Sequence, residues 1–185
     1  MRARDCCRRL VADRGGAVAI ELALVLPMVL TLLVGSVETV NYVLIHQKLE
    51  RTSATLSDLV AQSSRMTEGL MRNLFASVDA VMQPYDLAAD GVVRVTSVSA
   101  RDGNEARVDW QRSSGDGDQA SEVGQPGEDA TLPEGLVLRD GDNVIVCEAW
   151  FVYRPVLLNG VLPGAELYRS AVFRPRFGRL DVIHP

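Results

Sequence analysis

RGGAVAIELALVLPMVLTLLVGSV, residues Arg14–Val37, decides the architecture of this 185-residue chain. From Ala17 to Val37 the run holds 21 residues and a single charge, Glu21. As an α-helix it measures about 31 Å, close to the thickness of a bilayer core. Arg2, Arg4, Arg8, Arg9 and Arg14 precede it, against only Asp5 and Asp13. Cationic flanks stay on the cytoplasmic side. The N-terminus is therefore expected inside, and everything after Ile45 outside, in the periplasm of a bacterium. Two residues fit a plain anchor badly. Glu21 is costly in a span unless it snorkels to the headgroups or has a function. Pro27 removes a helical hydrogen bond and crowds the preceding turn, giving a kink that serves either packing or flexibility.

The rest of the chain reads as one small domain. Overall net charge is −5, but the first 16 residues carry +3, so the remainder carries −8. An acidic body argues against nucleic acid as a partner, because phosphate binding needs clustered cations. The three cysteines, Cys6, Cys7 and Cys147, lack metal-ligand spacing. Cys147, in an apolar run, reads as a small buried residue. Cys6 and Cys7 precede the apolar segment, the wrong order for lipid attachment. A cleaved secretory signal would need a small-residue site after the apolar run, where the chain instead reads Gly35-Ser36-Val37-Glu38-Thr39-Val40-Asn41.

The glycine pair Gly15-Gly16 offers another reading. Counted from Ala17, Glu21 is the fifth residue of an apolar helix behind a basic leader and a glycine. In this the stretch resembles the type IV prepilin signal. The resemblance implies that a prepilin peptidase cuts on the cytoplasmic side, after Gly16, and leaves the helix in the membrane. Cleavage after Gly15 would make Glu21 the sixth residue, so Gly16 and Ala17 form the expected processing site. The new α-amine, with a pKa of about 8, could then meet the Glu21 carboxylate of a staggered neighbour. That pairing offsets the burial of both groups and disfavours wrong registers.

Over residues 15–60 the features Gly15 to Ala17, Glu21, Ala23, Leu24, Val25, Leu26, Pro27, Gly35 and Glu38 together resemble a TadE-like segment. Such proteins are minor pilins or pseudopilins (TadE/TadF) of tight-adherence, Flp-type pili. The C-terminal run DNVIVCEAWFVYRPVLLNGVLPGAELYRSAVFRPR is also similar to that family. The resemblance implies a non-enzymatic role in assembling pili for surface attachment and biofilm. Its partners would be the prepilin peptidase, other pilin-like subunits and the inner-membrane assembly machinery.

Beyond the span the pattern turns amphipathic. Ile45, Leu49, Thr52, Leu56, Leu59 and Ser63 recur at helical steps. Arg65-Met66-Thr67 marks a break with Thr67 as N-cap. A second helix carries Leu70, Met71, Leu74, Phe75, Val78, Val81 and Met82 and ends before Pro84. From Gly91 the period becomes two. Strands over Val92–Ser99 and Ala106–Gln111 flank Asp102-Gly103-Asn104, a hairpin signal. Val144–Tyr153 reads as a central strand covered on both faces, and Leu167–Arg174 as another. Residues 113–135, rich in Gly, Ser, Asp and Pro, read as a flexible surface loop. Its Asp116, Asp118, Glu122, Glu128 and Asp129 lack EF-hand order. The expected fold is α+β: a long N-terminal helix, a short one, then a small antiparallel sheet.

The expected organisation is a basic leader (1–16), a transmembrane helix (17–45), its amphipathic extension (46–64) and a periplasmic α+β domain (65–185). His46 and His184 sit in no recognisable motif, so neither a catalytic set nor a cofactor or metal site is assigned. Arg154, Arg174, Arg176 and Arg179 read as a basic C-terminal edge suited to an acidic neighbour. The alternative function is a signal-anchored periplasmic binding or enzymatic domain unrelated to pili.

Overall fold

The computed structural model describes residues 15–101, 105–115 and 117–185. The arginines and Cys6-Cys7 of the expected leader, the Asp102-Gly103-Asn104 turn and Asp116 lie outside the described residues.

Helix α1 runs from Gly15 to Ala61 without interruption, through Pro27. Its 47 residues span about 70 Å, more than twice what a bilayer core requires. Such length is sustained by two different surroundings. Residues 16–33 are exposed on every side and almost wholly apolar. Farther along, Ile45, Leu49, Leu56 and Val60 are buried against the rest of the chain. Strand β1 (Met66–Thr67) follows, then α2 (Glu68–Met82), whose first turn is capped as the sequence predicts: Leu70 N donates to Thr67 Oγ1 at 3.2 Å. A short α3 (Leu87–Asp90) leads into β2 (Gly91–Arg101). At that entry Gly91 is needed, since a Cβ there would lie 2.5 Å from the Trp150 carbonyl oxygen.

Strands β2, β3 (Glu105–Ser113), β4 (Asn143–Tyr153) and β5 (Ala165–Phe173) form one antiparallel sheet in the order β3-β2-β4-β5. Together with the long apolar helix this is the α+β arrangement expected. The hairpin appears as β2–β3, with Arg101 opposite Glu105. A bulge separates the pairs Ser97–Trp110 and Val98–Val108, leaving Asp109 as the extra residue. Strand β4 is the buried centre, as a run apolar at every position from Val144 to Tyr153 except Glu148 implies. A two-residue strand, β6 (Ile183–His184), pairs parallel with β1 and brings the C-terminus beside the start of α2.

Each face of the sheet has its own cover. On one, Val93, Val95, Ile145, Cys147 and Phe151 pack against α1 and α2. On the other, Val98, Ala100, Val108, Val144 and Val146 pack under Val123 and Leu138 of the irregular segment 114–142. The expected surface loop (113–135) thus keeps its described acidic residues exposed and turns Val123 inward.

The helical stripe differs from expectation at its end. Leu59 is exposed, while Ser53, Ser57 and Val60 are buried. Small serines let α1 approach the sheet closely, and Ser57 Oγ donates to the Ile145 carbonyl at 3.1 Å. Hydrophobic counting favours leucine and passes over such contacts. Thr52 Oγ1, also buried, has no hydrogen-bond partner among the described residues.

Helix α1 and β4 run in opposite directions. Ser57, late in the helix, meets Ile145, early in the strand. Glu38 meets Tyr153, the last residue of β4. The end of the sheet holding the β4–β5 connection therefore lies beside the start of the helix's exposed apolar part.

Candidate functional site

The residues singled out by sequence lie in the exposed part of α1. Gly16 and Ala17 occupy its first turn, both exposed. Glu21 follows one turn later on the face of Ala17, also exposed, with no hydrogen bond or ion pair among the described residues. Around it Val18, Ile20, Leu22, Leu24 and Val25 present apolar surface in all directions. Pro27 cannot donate to the carbonyl one turn back. Its own carbonyl accepts from Thr31 Oγ1 at 2.8 Å. Ser36 and Thr39 fold back in the same way, donating to Leu32 and Gly35 carbonyls at 2.7 and 2.8 Å. Hydroxyls closed on their own helix suit a segment whose surroundings offer no water. The structure thus strings Gly16, Ala17, Glu21 and Pro27 along one accessible rod, rather than gathering them in a pocket.

A second cluster sits where that rod meets the domain. Glu38 is 6% exposed, although it directly follows the apolar run. Its carboxyl group accepts from Tyr153 Oη at 2.7 Å, from Leu158 N at 3.0 Å and from Leu157 N. Burial, followed by this contact with Glu38, pushes the Tyr153 hydroxyl up to about 12. Tyr42 stands edge-on to Tyr153 with ring centroids 5.4 Å apart, and its ring contacts that of His46 at a tilt, with centroids 4.6 Å apart. Nearby, Tyr85 Oη donates to the Asn41 carbonyl at 3.4 Å, and Lys48 Nζ to the Val81 carbonyl at 3.1 Å. Between α1 and the β4–β5 connection lies an open, mainly apolar groove of about 380 Å³, lined by Tyr42, Pro155, Leu162 and Pro163 among others. This clasp fixes the domain to the helix. In the sequence Glu38 stands out only as part of the family pattern and of the stretch that lacks a cleavage site. A lone acid immediately beyond an apolar span was the available signal.

A third polar cluster holds the irregular segment to the sheet. Glu148, fully buried in β4, accepts from Glu122 N at 2.8 Å, from Tyr168 Oη at 3.1 Å and from Ser121 Oγ. Burial raises the Tyr168 hydroxyl above its ordinary range. Opposite Glu148 on β2, Arg94 lies 5.3 Å from the centre of the Trp150 ring and donates to the Gln119 carbonyl at 2.6 Å. The glutamate inside VIVCEAWFVY is the sequence signal for this attachment.

The four C-terminal arginines do not make a single edge for an acidic partner. Arg154 lies at the Glu38 end of the sheet and pairs with Asp90 at 3.0 Å. Arg174, Arg176 and Arg179 pair with Asp142, Asp58 and Asp181 at 3.0, 2.6 and 3.3 Å. Each therefore has an acidic partner within its own chain, and pairs this exposed contribute little to stability. Cys147 is buried under α1, and burial raises its thiol well above the usual range. His46 donates to the Tyr42 carbonyl and His184 lies in β6. Among the described residues no group of three or more His, Cys, Asp or Glu side chains could hold a metal ion.

Comparison with known families agrees with the resemblance drawn from sequence: residues 16–56 match the model of TadE-like protein. The match begins at Gly16, takes in Glu21, Pro27 and Glu38, and ends at Leu56, on the part of α1 that packs against the sheet. That family is pilus-associated and non-enzymatic. Comparison with curated proteins and with solved structures gives no match.

Proposed function

We propose that this chain is a membrane-anchored, TadE-like minor pilin or pseudopilin that acts in assembling tight-adherence pili. The observation that carries the reading is the TadE-like segment lying on a helix whose first half stands clear of its own domain. A helix packed only from Glu38 onward leaves an apolar rod that a bilayer, and later the rods of other subunits, can surround. Glu21 is the sole ionisable group on that rod between Ala17 and Val37. Such a group is retained where it has a partner.

In this reading the prepilin peptidase cuts between Gly16 and Ala17 on the cytoplasmic side of the inner membrane. The domain faces the periplasm, and the chain crosses once. The freed amine of Ala17 pairs with Glu21 of an axially staggered neighbour, and an intact leader blocks that pairing. Pro27 supplies the point at which the rod bends as it moves from lipid to an assembly. Surface attachment and biofilm formation follow from the pilus, with no chemistry performed by this chain. The test is mass spectrometry of the membrane-extracted protein. Ala17 is expected as the N-terminal residue, whereas an intact start at Met1 or Arg2 overturns the maturation step and favours a simple signal anchor.

A further inference from the structure

We infer that the β4–β5 connection, residues 154–164, is a bilayer-contacting tip that seats the globular domain on the membrane surface beside its own anchor. The inference rests on the reading of α1 as the membrane anchor and adds a second point of lipid contact.

Three observations converge on it. The first is composition against exposure. From Pro155 to Ala165 the chain has no charged residue, yet Val156, Leu157, Val161 and Leu162 are all exposed, Val161 at 76%. An ordinary surface loop carries polar side chains at such positions, and a contiguous apolar patch marks an interaction site. The second is that the tip is built. Val161 N and Leu162 N both donate to the Leu158 carbonyl, at 2.9 and 3.0 Å. Gly160 takes a φ of +84°, which an L side chain adopts only with strain. The turn therefore holds its apolar side chains outward.

The third observation is position. Leu157 N and Leu158 N are bonded to Glu38, one residue beyond Val37, where the apolar run ends. This fixes the tip at the level where the anchor leaves the hydrocarbon. Tyr42, exposed one turn beyond Glu38, has the amphipathic form that concentrates at membrane–water interfaces. A lipid surface is the one partner that must already be present there if α1 spans the membrane. Uncharged aliphatic side chains flanked by Arg154 and Glu166 suit its interfacial zone. The expected result is a domain lying against the bilayer, held through Glu38 and the tip.

The test uses the full chain with Cys6 and Cys7 replaced by serine, in vesicles of phosphatidylethanolamine and phosphatidylglycerol. Buried Cys147 remains unlabelled. Nitroxide labels are placed singly through Val161→Cys at the tip, Val137→Cys near the opposite end of the sheet and Leu26→Cys in the span. Collision with oxygen against collision with a water-soluble nickel chelate reports depth. The Val161 label is expected to show a severalfold higher oxygen-to-nickel ratio than the Val137 label. A Val161 ratio equal to that of Val137, with Leu26 in lipid, overturns the tip and leaves the anchor standing. A Leu26 label open to the nickel chelate overturns the anchor and the tip with it. A Val161 label shielded from both reagents and broadened by a second label overturns lipid contact in favour of contact between copies of this chain.

Discussion

Replacing Glu148 separates two explanations of how the irregular segment 114–142 is held on the sheet: by its apolar side chains, or by the buried carboxyl group. Three donors converge there: Glu122 N and Tyr168 Oη on one oxygen, Ser121 Oγ on the other. Glu148→Gln keeps the oxygen that receives two of them. Its new amide faces the Ser121 hydroxyl, which can rotate to accept, so the cost should be no more than about 1 kcal/mol. Glu148→Leu removes all three acceptor contacts at similar volume. At roughly 1–1.5 kcal/mol per buried hydrogen bond lost, it should cost about 3–5 kcal/mol, a large part of the 5–15 kcal/mol typical of a domain. Urea unfolding of the full chain in detergent, followed by the fluorescence of Trp110 and Trp150, measures both. Hydrogen exchange at residues 119–131 should rise strongly in the leucine variant and little in the glutamine one. A leucine variant within 1 kcal/mol of the parent would refute the reasoning, leaving Val123 and Leu138 as sufficient. Equal losses in both variants would refute the donor count.

Glu21→Ala should leave membrane insertion intact while impairing pilus assembly, scored by fractionation and by counting pili; normal piliation refutes the register role. Thiol counting reports maturation independently, because cleavage after Gly16 removes Cys6 and Cys7. The denatured mature protein should titrate one thiol, and the native protein none, since Cys147 is buried with its thiol raised. Three thiols after denaturation would mean that the leader is retained. Tyr153 should ionise near pH 12 rather than near 10. Its neutral form is favoured in the folded chain, so this stabilisation is complete below pH 10 and lost as pH rises towards 12. Phenolate absorbance should show a late component that shrinks by one tyrosine in Tyr153→Phe, with Tyr168 remaining in it; a late component of unchanged size in that variant refutes the raised Tyr153 hydroxyl.

Much of the architecture was legible because it is encoded locally. The step of the apolar residues gave the continuation of α1 beyond the apolar run and gave α2, with Thr67 as its cap. Alternation and turn residues gave the β2–β3 hairpin, and a run apolar at nearly every position gave β4 its central place. Misreadings arose where a polar residue's meaning depends on a distant partner. Leu59 looked like core, yet Ser53 and Ser57 were taken into the interface because small side chains let helix and sheet approach. The C-terminal arginines looked like a patch until folding set an aspartate beside each. Glu148 drew no reading from its place in an otherwise apolar run, yet its carboxyl group is what holds Ser121 and Glu122.

By itself the sequence determined that the chain carries an apolar rod with one acid, one proline and a glycine-bounded start, followed by an α+β domain. These follow from composition and period, which neighbours along the chain define. Only the tertiary structure decided where the rod ends and the domain takes hold. Glu38 and Tyr153 lie 115 residues apart in sequence, and nothing in either residue type names the other. Their hydrogen bond exists because α1 and β4 run in opposite directions across a shared core. The same closure carries an uncharged turn beside the end of the apolar rod and leaves Val156, Leu157, Val161 and Leu162 exposed.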